Sequence, residues 1–237
     1  MIIPTAPPLI ALSNITRHYA GEGGSRVNAL RGISLQIHAG EFVAITGPSG
    51  CGKSTLLNLF AALDTPDSGE IVVGGKDLRH ISEDTRTCYR REEIGIIFQF
   101  FNLLPGLTLE ENVALPLRLR GIPSRDRMSR AHELLDFVGL SGRATHYPHQ
   151  LSGGEMQRTA IARALVHKPK VIIADEPTGN LDSAATDKIL MLLRQIHAEG
   201  LTTLILVTHS ENVAMSAKRR ISMRDGLVES DSAALKA

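Results

Sequence analysis

A glycine-rich loop lies between a short apolar run and a helical pattern, and it constrains the fold more than any other feature of the chain. The loop matches the pattern G-x-x-x-x-G-K-[ST], and its residues are Gly47, Pro48, Ser49, Gly50, Cys51, Gly52, Lys53, Ser54 and Thr55. Residues 42–46 predict a buried strand before the loop, and residues 54–63 predict a helix after it. Glycines in such a loop let backbone N–H groups surround phosphate oxygens, and the helix dipole favours the same negative charge. The loop therefore predicts a site for a nucleoside triphosphate.

A second segment supplies the carboxylates that chemistry on a triphosphate requires. The apolar residues 171–174 predict a buried strand, and Asp175 and Glu176 follow at its carboxyl end, where ligands bind in open α/β sheets. We expect Lys53 to reach the β- and γ-phosphates, and Ser54 and Asp175 to hold Mg²⁺. Glu176 is predicted to polarise the attacking water. Two adjacent acids at a strand end also occur as ordinary surface residues, and that alternative stays open.

The order of patterns along the chain predicts the domain organisation. Short apolar runs alternate with longer helical patterns, which is typical of an α/β fold. Strand patterns are absent from residues 99–150, where residues 109–119 and 124–138 have helical spacing. We therefore predict one domain over residues 1–237. Its predicted parts are a core sheet from residues 9–98 and 151–230, and a helical subdomain at residues 99–150.

Further strands are predicted from alternating or continuous apolar residues, and the last two flank a turn. The runs are residues 33–37, 70–73, 94–98, 203–207, 221–224 and 227–230. Asp225 and Gly226 predict a two-residue type I′ turn between the last two strands.

Composition excludes several classes of protein. Lys and Arg total 26 and Asp and Glu total 25, so the net charge is +1 and no global field attracts nucleic acid or an anionic bilayer. Two cysteines, Cys51 and Cys88, exclude a disulfide scaffold and fit a reducing compartment. The longest internal uncharged stretch lies between Glu93 and Glu110, and it is shorter than the about 20 apolar residues of a membrane-spanning helix. Prolines interrupt the uncharged residues 1–16, which do not resemble a signal peptide. We expect a cytosolic protein unless a partner holds it at a membrane.

The segment Leu-Ser-Gly-Gly-Glu-Met-Gln-Arg at residues 151–158 indicates which class of nucleotide-binding protein this is. With it, the sequence resembles the ATP-binding subunits of ABC transporters, whose signature reads LSGGQ. The resemblance covers residues 10–229, and the motifs occur in the order of the family: Tyr19, the loop 47–55, Gln99, the signature, Asp175 with Glu176, the segment 179–182, and His209. It implies an α/β P-loop NTPase fold of the ABC type, with an antiparallel β edge subdomain and an inserted α-helical subdomain.

In the family, the signature of one copy covers the γ-phosphate that a second copy binds, in a head-to-tail dimer. The resemblance assigns this role to Ser152, Gly153, Gly154 and Glu155, and assigns coupling of the two ATP sites to Asp182. Ser152 and Glu155 also have the spacing of a helix capping box, which is a structural alternative. Asp182 has the position of a helix N-cap, and it can serve both purposes. Glu155 replaces the commoner Gln, and either side chain fits the capping box.

Three further side chains receive roles from the resemblance alone. Gln99 would contact Mg²⁺ and the water, and His209 would contact the γ-phosphate and position the water, so that Glu176, His209 and Gln99 form the catalytic set. Tyr19 would stack on adenine, with the glycine-rich residues 20–25 letting its ring move over the base. Taken singly, each has a plain alternative: a strand-end glutamine, a solvated histidine and an edge-strand tyrosine.

The subgroup that the sequence resembles is the lipoprotein-release and macrolide-export group (LolD-like and MacB-like ATPases). Residues 98–105, 111–116, 174–182 and 223–226 carry this resemblance. It implies ATP and Mg²⁺ as cofactors and three partners: a second copy of the chain, a transmembrane permease and, through the permease, a periplasmic adaptor. The expected place is the cytoplasmic face of the inner membrane, as a peripheral subunit. The chain ends shortly after the last predicted strand, so we expect the permease on another polypeptide.

Two other functions remain open at this point. One is an ABC ATPase that transmits a signal or force through a membrane partner without transport, as FtsE-like cell-division proteins do. The other is a soluble ABC ATPase of DNA repair or translation, which the single domain and the charge of +1 disfavour.

Five arginines lie close together in the predicted helical subdomain, and they fit either a solvated helix face or a surface for a bilayer or an acidic partner: Arg118, Arg120, Arg125, Arg127 and Arg130.

Overall fold

A computed structural model describes residues 7–21 and 25–233, and these residues form two compact units. Unit 1 takes Met1–Arg90 and Thr203–Ala237, and unit 2 takes Arg91–Thr202. The start of the uncharged N-terminus and the middle of the predicted link at residues 20–25 lie outside the described residues. The two compact units do not coincide with the predicted core sheet and helical subdomain, whose boundaries stay a prediction.

The helices and strands follow one another in α/β order. In the first part of the chain they are β1 (Ile10–Ala20), β2 (Arg26–Ile37), β3 (Phe42–Thr46), α1 (Lys53–Phe60), β4 (Ser68–Val73), β5 (Lys76–Asp77) and α2 (Glu83–Glu93). They continue as β6 (Ile94–Ile97), α3 (Leu109–Leu119), α4 (Ser124–Phe137), α5 (Gly153–Leu165), β7 (Val171–Asp175) and α6 (Ser183–Ala198). The last are β8 (Thr203–Val207), α7 (Glu211–Ala214), β9 (Arg219–Arg224) and β10 (Leu227–Asp231). Short 3₁₀ turns lie at Ser141–Arg143 and Pro148–Gln150.

Unit 1 contains an antiparallel sheet in the order β2-β1-β4-β5. In β2, Ile33, Leu35 and Ile37 are buried, while the residues between them are exposed. This alternation is what a strand with one solvated face requires, and the predicted strand at residues 33–37 is confirmed. On the central strand β1, Ile10 pairs with Ile37 of β2 and with Val73 of β4, so the buried faces coincide.

Unit 1 also contains parallel strands, with β3 between β8 and β9. The first four residues of β3 and all of β8 are buried, as parallel strands covered on both faces should be. An antiparallel hairpin joins β9 to β10, and its turn residues Asp225 and Gly226 have φ values of 48° and 77°. Positive φ at both positions is what a type I′ turn needs, so the predicted hairpin is confirmed.

Unit 2 pairs β6 and β7 in parallel, with Ile94 opposite Val171, and carries helices α3 to α6. Within the described residues 99–150 the structure has helices and no strand, which confirms the predicted helical character. Helix α3 has the predicted bounds because Thr108 and Glu111 form a capping box at its start. Asn112 is fully buried, and its side chain accepts from the N–H of Leu104 and donates to three carbonyls of the preceding loop.

Two helices differ from the sequence expectation. The helix predicted over residues 54–63 ends at Phe60, because Ala62 has a φ of 51°, which a right-handed helix does not accept. Helix α2 was not predicted, because Tyr89 is its only buried residue and the helix therefore lacks an apolar stripe. No helix in the described ranges is long and apolar enough to cross a membrane.

Candidate functional site

The glycine-rich loop leaves the carboxyl end of β3 and enters α1, as predicted, and it is fixed on two sides within unit 1. Gly52 has a φ of 101°, and a Cβ there would lie 2.4 Å from the carbonyl oxygen of Ala29. Gly47 has a φ of 147°, and a Cβ there would lie 2.2 Å from the carbonyl oxygen of Met223. Only glycine combines these φ values with such close backbone approach.

The C-terminal hairpin supports this loop. The N–H of Gly226 donates to the carbonyl of Cys51 over 3.2 Å, and the carbonyl of Gly226 accepts from the N–H of Arg31 over 2.9 Å. A residue of the β9–β10 turn therefore joins the phosphate loop to β2.

Lys53 places its ammonium group inside the loop. Its Nζ donates to the carbonyl oxygens of Gly47 and Pro48 over 2.8 and 2.9 Å, and it lies 3.7 Å from the sulfur of Cys51. Within the described residues no side chain caps α1, so the amide groups of its first turn can bind an external acceptor. A cation, a helix N-terminus and a glycine-rich backbone together form an anion site.

Tyr19 lies on β1 with its side chain fixed by charged neighbours. Its hydroxyl donates to Asp64 over 2.7 Å, and the guanidinium carbon of Arg17 lies 4.9 Å from the ring centroid. Arg17 also pairs with both Asp64 and Asp67. The ring is 36% exposed, so it retains surface on which a base could stack.

In unit 2, Asp175 is the last residue of β7 and Glu176 follows it, both half-buried. Glu176 has a φ of 45°, in the left-handed region that residues other than glycine rarely adopt. Backbone strain of this kind concentrates at functional sites, where the surrounding structure holds it in place. The carbonyl of Glu176 accepts from the N–H of Gly179 over 3.0 Å, which closes a turn directly after the two acids.

Gln99 lies against that turn. The carbonyl oxygen of Gln99 accepts from the side-chain amide of Asn180 over 3.1 Å. A Cβ on Gly179 would lie 2.9 Å from Nε2 of Gln99. The structure therefore brings the predicted residue Gln99 next to the segment that follows Glu176.

The signature segment starts α5 with the predicted capping box. The Ser152 hydroxyl accepts from the N–H of Glu155 over 3.3 Å, and the Glu155 carboxylate accepts from the N–H of Ser152 over 2.9 Å. The backbone N–H of Ser152, its hydroxyl and the cations Arg143 and Arg158 lower the pKa of Glu155 below its ordinary value of 4.5. Glu155 is therefore ionised at neutral pH.

A cleft of about 440 Å³ opens in unit 2 at the N-terminus of α5. Gly153 and Gly154 line it together with Asp182 and two cations, Arg158 and Lys188. Asp182 also caps α6, accepting from the N–H of Ala185 over 2.7 Å, so its predicted capping role is confirmed. Glu155 also lines the cleft, so two carboxylates balance the two cations, and the helix N-terminus with its two glycines is the feature that favours an anionic occupant.

The predicted site residues are divided between the units. Unit 1 holds Tyr19, the loop 47–55 and His209, an exposed residue after β8. Unit 2 holds Gln99, Ser152, Gly153, Gly154, Glu155, Asp175, Glu176 and Asp182.

Three of the five clustered arginines bind within unit 2, to the carbonyl of His167, the carbonyl of Ile122 and the carboxylate of Glu133; they are Arg120, Arg127 and Arg130. Contacts of this kind are typical of a helix surface that packs against its own unit.

Two residues of α5 that contact the segments around Gln99 and Glu176 received no role from the sequence. Gln157 is fully buried, and Arg163 donates to two backbone carbonyls. Gln157 lies on the apolar stripe that also contains Ile161 and Ala164, and a polar residue at a core position indicates a buried hydrogen bond.

The strand–loop–helix unit with Lys53 and the adjacent acids Asp175 and Glu176 define a P-loop nucleoside triphosphatase. The family is narrower, since the sequence model described as ABC transporter matches residues 30–179. The chain belongs to the ABC transporter family, and it is an ATP-binding ABC ATPase domain.

Relatives and solved structures agree with this membership. The chain is 49% identical over 226 residues to the macrolide export ATP-binding/permease protein MacB of Hyphomonas neptunium, covering 95% of this chain and 35% of that protein. It is 48% identical to the uncharacterized ABC transporter ATP-binding protein MJ1508 of Methanocaldococcus jannaschii, covering 92% of this chain and 96% of that one. It is similar to a dimeric, post-hydrolysis structure of the ATP-binding cassette MJ0796 with ADP and inorganic phosphate, with a TM-score of 0.86, 43% identity, and coverage of 94% and 97%. The chain spans about a third of the length of the MacB protein that it matches.

Proposed function

We propose that this chain is the ATPase of an ABC export system. Two copies bind Mg-ATP and close on each other as a head-to-tail dimer. One observation carries the proposal: two helix N-termini of the chain have glycine-rich surroundings that favour an anion, that of α1 with Lys53 and that of α5 at the 440 Å³ cleft. A single phosphate loop binds one nucleotide, so the second helix end serves a nucleotide bound by another copy. The dimer with ADP and phosphate formed by the cassette MJ0796 supports this arrangement.

The loop 47–55 and Lys53 would bind the phosphates, and Tyr19 would stack on adenine. The residues fit Mg²⁺ as well, because a hydroxyl, an amide oxygen and a carboxylate are ligands that this ion prefers. Ser54, Gln99 and Asp175 would hold it. When bound, Mg²⁺ neutralises charge on the phosphate oxygens.

Glu176 would accept a proton from the attacking water, and Gln99 and His209 would orient that water. The backbone φ of 45° at Glu176 supports this role, since such a conformation persists only where the surrounding structure holds the residue in place. A positioned base contributes about 10²- to 10⁴-fold to the rate.

A transmembrane permease is the proposed partner, reached through residues 100–112. Phe100 is 70% exposed and Leu104 is 46% exposed, which provides an apolar contact surface beside Gln99. The MacB relative is an ATP-binding/permease protein, and macrolide export by that protein favours hydrophobic cargo and a place at the cytoplasmic face of the inner membrane.

The test is the substitution Glu176→Gln. We expect the variant to bind ATP, to hydrolyse it about 10²- to 10⁴-fold more slowly, and to elute as a dimer in the presence of Mg-ATP. Glu70→Gln, the same change at an exposed position of β4, is the control and should behave as the parent. Hydrolysis by Glu176→Gln at the parental rate would refute the proposal.

A further inference from the structure

Two side chains of α5 bind the backbone around Gln99. Gln157 donates through Nε2 to the carbonyl oxygen of Pro177 over 2.7 Å and to that of Phe98 over 3.4 Å. Arg163 donates to the carbonyl oxygens of Phe101 over 2.8 Å and of Asn102 over 2.5 Å. We call residues 98–102 the Gln99 loop. One helix therefore fixes three carbonyls of this loop and a fourth directly after Glu176.

The chemistry at Gln157 admits one orientation of its side chain. The amide NH₂ carries two protons, which matches the two carbonyl acceptors. Reversing the amide would set Oε1 against two carbonyl oxygens. In the adopted orientation Oε1 is buried and has no hydrogen-bond partner in the described part of the chain. A buried polar atom without a partner is costly, so the two donated bonds are the reason for a polar residue here.

Arg163 holds a backbone conformation that is unfavourable by itself. Phe101 and Asn102 have φ values of 59° and 50°, and for a bulky residue such as Phe the left-handed region is an outlier. The guanidinium of Arg163 is planar and donates to both carbonyls at once. Burial lowers the pKa of Arg163, because removal of the guanidinium from water disfavours its charged form.

We propose that Gln157 and Arg163 are positioning residues that set the place of Gln99 relative to Glu176 by tying both to the helix that carries the signature. The proposal rests on the proposed roles of Gln99 and Glu176. Because the signature starts the same helix, a displacement of the Gln99 loop has to be shared by α5 or has to break the three bonds that join them.

The experiment uses two variants with matched controls. Gln157→Met keeps the length of the side chain and removes both donors, and Arg163→Lys keeps the charge but not the planar fork. Gln195→Met and Arg125→Lys make the same changes at exposed positions of α6 and α4. Hydrolysis and affinity for a fluorescent ATP analogue are measured for each full-length protein, and thermal melting is followed by circular dichroism.

A direct readout of the loop comes from Phe100→Trp, since the chain contains no tryptophan. The single indole in the Gln99 loop reports local mobility by fluorescence anisotropy. We expect Gln157→Met and Arg163→Lys to lower this anisotropy, and to lower kcat by about 10- to 100-fold, the effect of misplacing a reacting group by ~1 Å. Nucleotide affinity should be retained, because neither change touches the loop 47–55.

Parental anisotropy and parental kcat in both variants, each folded, would overturn the proposal. Joint loss of nucleotide binding and of the melting transition in both would also overturn it, because the residues would then be merely structural. A parent that does not hydrolyse ATP would refute the proposed function instead, and the anisotropy would still decide the role of Gln157 and Arg163.

Discussion

Replacement of Gly52 by alanine tests whether close backbone approach or φ alone requires glycine in the phosphate loop. Gly52 and Gly50 have φ values of 101° and 79°, so alanine at either position incurs the left-handed penalty of about 1–2 kcal/mol. They differ in their surroundings. A Cβ at Gly52 would lie 2.4 Å from the carbonyl oxygen of Ala29 and 2.9 Å from a methyl of Leu30, whereas none of the described atoms beyond the chain neighbours lies within 4 Å of one at Gly50.

The difference between the two variants isolates the steric contribution. Forcing a methyl group into a filled space costs about 1–3 kcal/mol, so we expect a loss of roughly 2–5 kcal/mol for Gly52→Ala and about 1–2 kcal/mol for Gly50→Ala. At about 2–4 °C per kcal/mol for a chain of this size, Gly52→Ala should melt roughly 2–12 °C below Gly50→Ala.

The assay is unfolding by urea and by heat, followed by circular dichroism. Nucleotide is left out, because a ligand that binds only the folded state would add its own stabilisation. Coincident transitions for two probes are the condition for using a free energy of unfolding. Equal melting temperatures for the two alanine variants would show that the contact with Ala29 does not matter and that the steric argument is wrong.

Three further changes test other parts of the site. The lowered pKa of Glu155 means that its stabilising charge is complete above pH 4.5 and is lost as the pH falls through the folded value. The stability difference between the parent and Glu155→Gln, about 1 kcal/mol for this half-buried side chain, should therefore shrink below that pH in urea titrations. In a Cys88→Ser background, maleimide should react slowly with Cys51, which is 3% exposed, and should abolish ATP binding, while ATP protects the thiol; mass spectrometry that finds complete modification with intact binding would contradict this. Tyr19→Ala should weaken ATP binding by about 1–3 kcal/mol while Tyr19→Phe retains most of it, and equal affinities in calorimetry would exclude base stacking.

Local sequence patterns predicted the elements whose conformation is decided locally. The loop 47–55, the capping box of Ser152 and Glu155, and the turn at Asp225 and Gly226 all have residue types that permit few other conformations. Helix α3 was predicted with its observed bounds from its helical spacing, and the structure adds a capping box at its start.

Features that depend on distant partners were not predictable in this way. Phe101 and Asn102 take left-handed conformations that their own side chains do not favour, and Arg163, many residues later, supplies the reason. An arginine on a helix is ordinarily a surface residue, so the contacts of Arg163 with backbone carbonyls have no signature in the sequence. Gln157 gave a weak signal as a polar residue on an apolar stripe.

The hydrogen bond from the N–H of Gly226 to the carbonyl of Cys51 has a consequence for the folding of the nascent chain. The phosphate loop lies at residues 47–55, but the residue that donates to it belongs to the β9–β10 hairpin, which is synthesised much later. A nascent chain that has not reached the β9–β10 turn therefore contains the whole phosphate loop but lacks the hydrogen bond that supports it. We expect competence to bind ATP to be acquired only after the β9–β10 hairpin has been synthesised and has folded against the loop.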